Sequence, residues 1–490
     1  MMAREAMPVD EFERVQEALP AALAANVPGS GVDHVVVGLP SFSVGETLLA
    51  HYAPKLPAME HRYLNALLML NRIDCDVVFV CSRRPPPEVL TAYEDIVAPA
   101  VADRIRARLH LVVVDDIGPR PLAAKLLDRP DLLDEIRDRV AGRVAVIEPW
   151  NVTDHEVAVA LALGLPVNGT PPALRSEAFK AAGRCLFRRT GVPVPVGVEG
   201  VHTVDDVLDA VTRIRSERPD VAAVVVKHDD SGAGDGNTVV ELNEPSGVAR
   251  GSSELRATVA GLPAWYLDDL LDGGGIVEEL VVGDEVRSPS VQLDLLPGDG
   301  VRVVATHDQI LGGDNGQVYM GCRFPADPAY APELAVHGEA VGLDLTRRGC
   351  TGRAGVDFVA ARRGSQPWDV RAIEVNLRKG GTTHPYTALR NLVPGHYDTV
   401  AGVWRADAGG TRAYRSTDYV GGPGWTGRPP ASVVSAVHDS GVRFDVGQGT
   451  GIVLHMLAGL AVDGHFGATA IGHTPEHAEE LFDAMLVAVT

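Results

Sequence analysis

Short apolar runs alternate with helical stretches along residues 1–170. Four runs are rich in β-branched residues and bounded by turn residues: HVVVGLP at 34–40, DVVFVCS at 76–82, HLVVVDD at 110–116 and VAVIEP at 144–149. Amphipathic stretches such as ALLMLNRI and LLDEIRDRVAG lie between them. This alternation predicts an open parallel sheet. No strand is followed by G-x-G-x-x-G, which argues against a dinucleotide site, so we expect this region to support one edge of a substrate site.

Beyond residue 170 the pattern becomes helical and then changes to strands. LRSEAFKAAGRCLFRRT at 174–190 predicts a helix, with Gly191 as its C′ residue and Pro193 just beyond. Thr203 is placed to cap a second helix. The apolar stripe of that helix is Val204, Val207, Leu208, Val211 and Ile214.

A glycine-rich loop follows a buried strand. VAAVVVK ends at Lys227, HDDSGAGDGN follows, and TVVEL is a second strand. A loop of this kind between two strands can place backbone N–H groups around a polyphosphate, because glycine lets the main chain approach closely. It is not a Walker loop, since G-K-[ST] is absent and no helix follows. An ordinary mobile turn is the alternative interpretation.

Residues 353–385 predict a hairpin that carries three oxygen-bearing side chains. GVDFVA and RAIEVNL are its strands, and RRGSQPW connects them. Glu374 and Asn376 share a face, and antiparallel pairing about the middle of the connection would set Asp357 opposite Glu374. Two facing carboxylates destabilise a ladder unless a cation lies between them. Oxygen ligands favour Mg²⁺ or Mn²⁺, and Arg378 on the same face could hold an anion. A solvated hairpin edge is the alternative.

The remaining segments predict a second unit and a smaller third one. IVEEL at 276–280, VVGDE, SVQLDLL and RVVATHDQIL predict strands, and PELAVHGEAVGLDLTRRG predicts a helix. After about residue 400 come the turn-rich YVGGPGWTGRPP, a helix, the apolar run GIVLHMLAGLAV at 451–462 and a last helix begun by Thr474 and Pro475. The length of 490 residues fits three domains.

Composition excludes several classes of protein. A net charge of −21 argues against nucleic acid or an anionic membrane as partner. The polar N-terminus does not resemble a signal peptide, and no apolar run approaches the roughly 20 residues of a membrane span. The five scattered cysteines lack a C-x-x-C pair and predict a reducing cytoplasm, no zinc site and small buried thiols. The oligomeric state stays open, with a homodimer as one candidate.

In this order, the motifs between Arg175 and Pro385 resemble the ATP-grasp superfamily of carboxylate–amine ligases. The resemblance implies an α/β (α+β) architecture of three parts: a pre-ATP-grasp domain at 1–170, an ATP-grasp domain at 171–400 and a C-terminal α+β domain at 401–490. Within the ATP-grasp domain, residues 175–265 would form a first lobe with the flap, and 266–400 a second lobe with the metal site.

The resemblance also assigns roles to residues. Lys180, before G-x-P, and Lys227 would lie along the phosphates of ATP, together with the flap residues Ser231, Gly232, Gly234 and Gly236. A hinge strand would read the adenine edge through the backbone of Glu278, Glu279, Leu280 and Val281, and Glu285 would bind the ribose. Asp357, Glu374 and Asn376 would hold Mg²⁺ or Mn²⁺, with Arg378 beside them.

EVNLRKGGTTHP, with THDQIL and GQVYMGC, is similar to the ATP-grasp peptide ligases of pheganomycin-type biosynthesis. That resemblance implies joining a guanidino-bearing, amino-acid-like carboxylate to the amine of a peptide through an acylphosphate, with ADP and phosphate as products. His384 and His307 are candidate proton acceptors or substrate contacts. One departure is Lys227-His228, where many relatives have K-P, and another is the three aspartates of the flap. An L-amino acid dipeptide ligase, a carboxylase-like enzyme and a non-catalytic nucleotide-binding relative are the alternatives.

Overall fold

The structure is a computed structural model of the chain that describes residues 9–231, 236–244, 249–312 and 318–490. Its first layer is the predicted parallel sheet, in the order β3-β2-β1-β4. The strands are β1 His34–Leu39, β2 Asp76–Cys81, β3 Leu109–Val113 and β4 Val144–Pro149. The helices around them are α1 Val9–Gln16, α2 Leu19–Ala25, α3 Glu46–Tyr52, α4 Leu56–His61, α5 Pro87–Glu94, α6 Pro99–Arg108, α7 Leu122–Leu127, α8 Pro130–Val140 and α9 Asp154–Leu163.

Both faces of this sheet are covered, which explains why its strands are continuously apolar. Val36 and Val77 belong to one core, whereas Val35 and Val78, their neighbours along the chain, belong to another on the opposite face. Most of the predicted helical stretch at 66–73 lies in a 3₁₀ helix, Arg62–Asn71, and its last two residues follow that helix.

The second layer is a small antiparallel sheet in the order β5-β8-β6-β7. Its elements are α10 Lys180–Arg189, β5 Gly197–Val201, α11 Val204–Glu217, β6 Ala223–His228, β7 Asn237–Glu241, α12 Ser252–Ala260, α13 Ala264–Gly273 and β8 Gly275–Glu279. Thr203 caps α11 by accepting from the Asp206 amide, as predicted, and Val207, Val211 and Ile214 are buried.

The helix predicted at 174–190 is wrong as one continuous element. Residues Pro172–Ala178 form a 3₁₀ helix, Phe179 is extended, and α10 begins at Lys180. The break has a physical reason: the first backbone amides of α10 have no acceptor within the helix, and they donate hydrogen bonds to the turn after β6 instead. The Lys180 amide donates to the Asp229 carbonyl at 3.1 Å and the Ala181 amide to Asp229 Oδ1 at 2.7 Å.

The third layer is an 11-stranded sheet with the central order β14-β13-β10-β11-β12-β17-β16-β15. Its strands are β9 Glu285–Arg287, β10 Pro289–Leu296, β11 Gly300–Gly312, β12 Val318–Phe324, β13 Gly352–Arg362, β14 Asp369–Asn376, β15 Gly395–Asp398, β16 Val403–Ala406, β17 Thr411–Gly421, β18 Gly451–His455 and β19 His465–Gly472. The helices are α14 Ala331–Arg347, α15 Thr383–Leu392, α16 Pro430–Asp439 and α17 Pro475–Val489.

Helix α14 packs closely against this sheet through two glycines. A Cβ at Gly338 would meet Val291 at 2.7 Å, and one at Gly342 would meet Val301 at 2.7 Å. The spacing of four residues puts both glycines on one face of the helix. Larger residues there would push the helix away from β10 and β11, and β10 pairs with β13, the strand that carries Asp357.

The strands after residue 400 belong to the same 11-stranded sheet, because β17 pairs with β12 over residues Gly321 to Phe324. The boundary near 400 therefore does not coincide with the edge of a sheet, and the division into three domains stays a prediction. The apolar run at 451–462 is strand β18 followed by a 3₁₀ turn. Within the described ranges, no helix has the length and apolar character needed to cross a bilayer.

Candidate active site

The hairpin of β13 and β14 brings two carboxylates face to face. Asp357 pairs with Glu374, and Gly355 pairs with Asn376, which is the predicted register. A bulge just beyond Asp357 shifts the rest of the ladder by one residue. Asp357 accepts hydrogen bonds from Gln309 at 2.8 Å and from the Asn376 amide at 2.9 Å. Three oxygen-bearing side chains thus converge on one face of the hairpin.

The electrostatics of this pair suit a cation. Burial, and secondly the charge of Glu374, raise the pKa of Asp357 to about 7, while Arg378 acts in the opposite direction. A divalent ion between the carboxylates would remove the repulsion that raises this pKa. The carboxylates of Asp357 and Glu374 and the amide oxygen of Asn376 are the donor types that Mg²⁺ and Mn²⁺ prefer. These residues therefore fit the predicted metal.

Lys180 reaches the same region from the first lobe. Its side chain is buried and donates to the Ser231 carbonyl at 2.6 Å and to the Ser231 hydroxyl at 3.0 Å. Burial lowers the pKa of Lys180, with Glu374 acting to raise it and Lys227 to lower it. The charges of Glu374, Lys180 and Lys227 thus act on one another across the space between the two sheets.

Lys227 is held by a buried chain of charges. It lies on β6 and is ion-paired with Glu278 on the adjacent strand β8. The other oxygen of Glu278 accepts from Arg184 at 2.7 Å, and Arg184 also donates to Glu199 at 2.7 Å. Lys180 and Arg184 are four residues apart on α10, so one helix face positions the first lysine and also, through Glu278, the second.

The flap residues are described only at its two ends. At one end, the Ser231 carbonyl accepts a hydrogen bond from the Lys180 side chain. At the other end, Gly236 has a φ of 78°, and its carbonyl accepts from the His228 amide at 3.1 Å. A Cβ at Gly236 would lie 2.9 Å from His228 Nδ1, so a larger residue would be strained and crowded. The predicted phosphate contacts Gly232 and Gly234 lie outside the described residues.

The hinge residues run along the end of β8. The amide of Glu279 donates to Val196 at 2.8 Å and that of Leu280 to Ala223 at 3.0 Å, while the Glu279 carboxylate is paired with Arg371. A cavity of about 220 Å³ opens beside them. Its lining includes Leu280, Val281, Val282, Arg218, Arg362 and Arg371. Glu285, the candidate ribose ligand, lies on β9 with its carboxylate 2.6 Å from Arg362.

Arg378 lies between the 11-stranded sheet and the N-terminal parallel sheet. Its guanidinium carbon is 5.1 Å from the centre of the Trp150 ring, which follows β4. The next residue, Lys379, donates to Glu148 at 2.8 Å and bonds through its amide to the Trp150 carbonyl at 3.0 Å. Trp150, Arg353 and Arg378 line a small crevice, so the N-terminal layer contributes an edge of the candidate site.

The two candidate histidines are enclosed by protein. His307 is fully buried, and its Nε2 lies 2.6 Å from the Tyr414 hydroxyl. His384 is also buried, and its Nε2 lies 3.0 Å from His455 Nε2. Burial lowers the pKa of each imidazole to about 3. Their roles as proton acceptors stay predictions, and the rings face other side chains of the protein.

Three contributors to the site were missed from the sequence. Gln309 holds Asp357, Arg184 holds Glu278, and Trp150 stacks on Arg378. Gln309 could have been found from the sequence. It stands in the THDQIL stretch two residues after the candidate His307, so the two side chains lie on the same face of strand β11. Nothing local marked Arg184 or Trp150, because their partners are 94 and 228 residues away in the chain.

Sequence similarity to a ligase of known activity shows the family of this chain. Over 397 residues the chain is 32% identical to the L-propargylglycine–L-glutamate ligase of Streptantibioticus cattleyicolor, and the match covers 78% of each chain. The chain belongs to the ATP-grasp carboxylate–amine ligase superfamily. As an ATP-grasp ligase it binds ATP and forms C–N bonds. Residues 432–485 match the family model described as the PGM1 C-terminal domain.

Solved structures show the same fold at low sequence identity. A biotin carboxylase from Campylobacter jejuni matches with a TM-score of 0.53 and 11% identity, covering 94% of both chains. An N5-carboxyaminoimidazole ribonucleotide synthetase, solved with ADP, matches with a TM-score of 0.50 and 12% identity, covering 94% of this chain and 97% of the other. The predicted mixed α/β fold class is confirmed by these neighbours.

Proposed function

We propose that this ATP-grasp ligase activates a carboxylate as an acylphosphate and joins it to the N-terminal amine of a peptide, releasing ADP and phosphate. The supporting observation is the convergence of Asp357, Glu374 and Asn376 with two buried lysines, Lys180 and Lys227. A carboxylate has a poor leaving group and does not react with an amine at neutral pH, so it must first be activated. Phosphoryl transfer needs charge stabilisation and positioning more than covalent catalysis by the protein.

The proposed metal would occupy the face of the hairpin. Asp357, Glu374 and Asn376 would hold Mg²⁺, or Mn²⁺, which when bound offsets the charge of the phosphoryl group in transfer. Gln309 donates to Asp357 and so fixes one carboxylate in place. The bulge in β13–β14 keeps Asp357 opposite Glu374.

The lysines would bind phosphate by exchanging partners. Lys180 now donates to Ser231, and Lys227 is paired with Glu278. Because Arg184 also neutralises Glu278, Lys227 can turn toward a phosphate without leaving a buried carboxylate unpaired. Arg378 would hold the acylphosphate or the tetrahedral oxyanion, and the Trp150 ring restricts where its guanidinium can point.

In this proposal the donor acid carries a guanidino group. A guanidino donor needs a carboxylate partner, and the candidates near the site are Asp229, Asp230, Asp235 and Asp314. Asp229 accepts from the Ala181 amide at 2.7 Å, and Asp230 is paired with Arg175 at 2.6 Å. Asp235 and Asp314 lie outside the described residues. A guanidino group would therefore have to displace an existing contact to use Asp229 or Asp230.

A dipeptide ligase is the second candidate function. The relative of known activity is named for ligation of L-propargylglycine with L-glutamate, which are two single amino acids. If its acceptor class applies here, the amine substrate is a free amino acid rather than a peptide. The chemistry at the hairpin is the same in both cases, so the choice rests on the acceptor.

The nucleotide product tests the acylphosphate route. We expect stoichiometric ADP and phosphate, because the metal carboxylates and hinge are suited to transfer of the terminal phosphoryl group. The purified chain would be incubated with ATP, Mg²⁺ and a mixture of acids and amines, and nucleotides quantified by chromatography. Release without substrates is the background to subtract. AMP with pyrophosphate as the stoichiometric products would refute the route.

A substrate series tests the acceptor. With one guanidino acid as donor, peptides of different length should be ligated at comparable rates, and N-acetylated peptides should not react. Free amino acids should be poorer, because a peptide has binding energy remote from the amine. Products would be read by mass spectrometry, with non-guanidino amino acids as parallel donors. If free amino acids outperform every peptide, the dipeptide-ligase candidate replaces the peptide ligase.

A further inference from the structure

Two histidines and an aspartate, none of them among the proposed magnesium ligands, meet in the interior of the protein. His384 lies in α15, Asp418 in β17 and His455 at the end of β18, with exposures of 2%, 7% and 2%. His384 Nε2 is 3.0 Å from His455 Nε2 and 3.3 Å from Asp418 Oδ1. His455 Nε2 is 2.9 Å from the same oxygen. Three potential ligand atoms therefore form a nearly equilateral triangle.

Hydrogen bonds alone do not satisfy all three sides of this triangle while Asp418, paired with Arg62, is ionised. A neutral imidazole Nε2 carries either one hydrogen or one lone pair in the ring plane. If both nitrogens carry hydrogens, both donate to Asp418, and two N–H groups face each other. If one hydrogen is moved to Nδ1, a lone pair faces either the carboxylate or the other ring. Every assignment of neutral rings leaves one side of the triangle repulsive.

We propose that His384, Asp418 and His455 bind one divalent transition-metal ion, for which Zn²⁺ is the best chemical match. Two imidazoles and a carboxylate are a common zinc donor set. An ion about 2.0–2.2 Å from each atom fits just outside the plane of the triangle. The cation could then accept a lone pair from each of the three atoms, which would remove the repulsion within the triangle. Mg²⁺ prefers oxygen ligands and suits this cluster poorly.

Arg62 completes the surroundings of the aspartate. Its guanidinium donates to Asp418 Oδ2 at 2.6 Å, and the two side chains are both buried. This contact leaves Oδ1 for the ion, and hydrogen-bonded outer partners of this kind usually orient a ligating carboxylate. The cysteine pattern predicts no zinc site, and the proposed site contains no cysteine.

The cluster joins parts of the chain that are far apart in sequence. Helix α15 begins five residues after Arg378, Asp418 and His455 lie on strands after residue 400, and Arg62 belongs to the N-terminal region. A bound ion would tie these three regions together next to the candidate active site. Its role would be structural, and it is distinct from the proposed magnesium at Asp357 and Glu374.

Metal analysis of the untagged full-length chain tests the proposal. The protein would be stripped with a chelator and titrated with Zn²⁺, and in parallel with Co²⁺, in excess Mg²⁺. We expect one tight equivalent, visible Co²⁺ bands typical of tetrahedral nitrogen and oxygen ligation, and a higher melting temperature with Zn²⁺. His455→Gln should weaken binding by more than the roughly 10–100-fold cost of losing an outer-shell partner.

Matched controls separate this site from others. His396→Gln changes an exposed histidine, and Glu374→Gln changes the proposed magnesium site; both should bind Zn²⁺ as the unchanged chain does. If His455→Gln does not fold, the Co²⁺ spectrum of the unchanged chain still shows whether nitrogen ligands hold the ion. Equal Zn²⁺ binding by folded His455→Gln would overturn the proposal. A folded chain without tight Zn²⁺ binding, or with a Co²⁺ spectrum of oxygen-only octahedral ligation, would overturn it as well.

Discussion

Replacing Glu374 with glutamine should lower turnover at least about a hundredfold, because one ligand charge of the proposed metal site is lost. Glutamine has nearly the same shape as glutamate, so the hairpin should keep its register. Removing the charge also relieves the repulsion that helps raise the pKa of Asp357. The melting temperature without nucleotide should therefore be unchanged or higher. Steady-state rates with saturating ATP and Mg²⁺, and thermal melting, are the measurements.

The control for this experiment is Glu339→Gln, which removes a charge from an exposed position on α14. It should leave rate and melting unchanged. Raising Mg²⁺ or substituting Mn²⁺ should recover part of the Glu374→Gln rate if the loss is one of metal affinity. Near-normal turnover by a Glu374→Gln enzyme with normal melting would show that Glu374 does not serve the metal.

The strands of the parallel N-terminal sheet could be predicted because the β-branched runs of β1 to β4 are bounded by turn residues. In the hairpin, the pairs next to the connection, such as Ala361 with Asp369, are offset by one residue from the predicted register, and the bulge restores that register at Asp357. The symmetric pairing predicted Asp357 opposite Glu374, although a bulge shifts the rest of the ladder. The bulge itself left no signal in the alternation of apolar residues.

The missed features depend on partners distant in sequence. Phe179 breaks the predicted helix because the turn at Asp229 supplies partners for the amides of α10. Strand β17 joins β12 across about ninety residues, and its own pattern does not say which edge it will join. His384 followed a recognisable motif, but its burial against His455 and Asp418 depends on strands that the motif does not contain.

In the candidate site too, the residues within motifs could be predicted, whereas most of the residues that support them could not. The carboxylates and Arg378 could be named from the hairpin pattern, and the lysines from the resemblance to ATP-grasp ligases. The structure brings Lys180 within electrostatic reach of Lys227 and Glu374. The supporting residues Arg184, Gln309 and Trp150 decide how those groups point. Arg184 and Trp150 are revealed only by the folded chain, because each is a single ordinary residue whose partner is distant in sequence.

Arg378→Lys should lower the rate of ligation about 100–1,000-fold, which is the usual loss when one stabilising donor to an oxyanion is removed. Lysine keeps the positive charge but loses the planar fork that binds two phosphate or carboxylate oxygens at once. It would also lose much of the stacking on Trp150, so its charge would be held less firmly. ATP binding should be little affected, because Lys180 and Lys227 bind the phosphates in this proposal.

The measurement is therefore a comparison of two constants: the affinity for ATP by calorimetry, and kcat for amide formation by mass spectrometry. Arg213→Lys, at an exposed position on α11 remote from the hairpin, is the matched control and should change neither. Trp150→Leu removes the ring and keeps the guanidinium, so its loss of kcat should be smaller than that of Arg378→Lys. If Arg378→Lys weakens ATP binding and leaves kcat intact, Arg378 belongs to the nucleotide site. The oxyanion role would then pass to Arg353, the other arginine that lines the crevice beside Trp150.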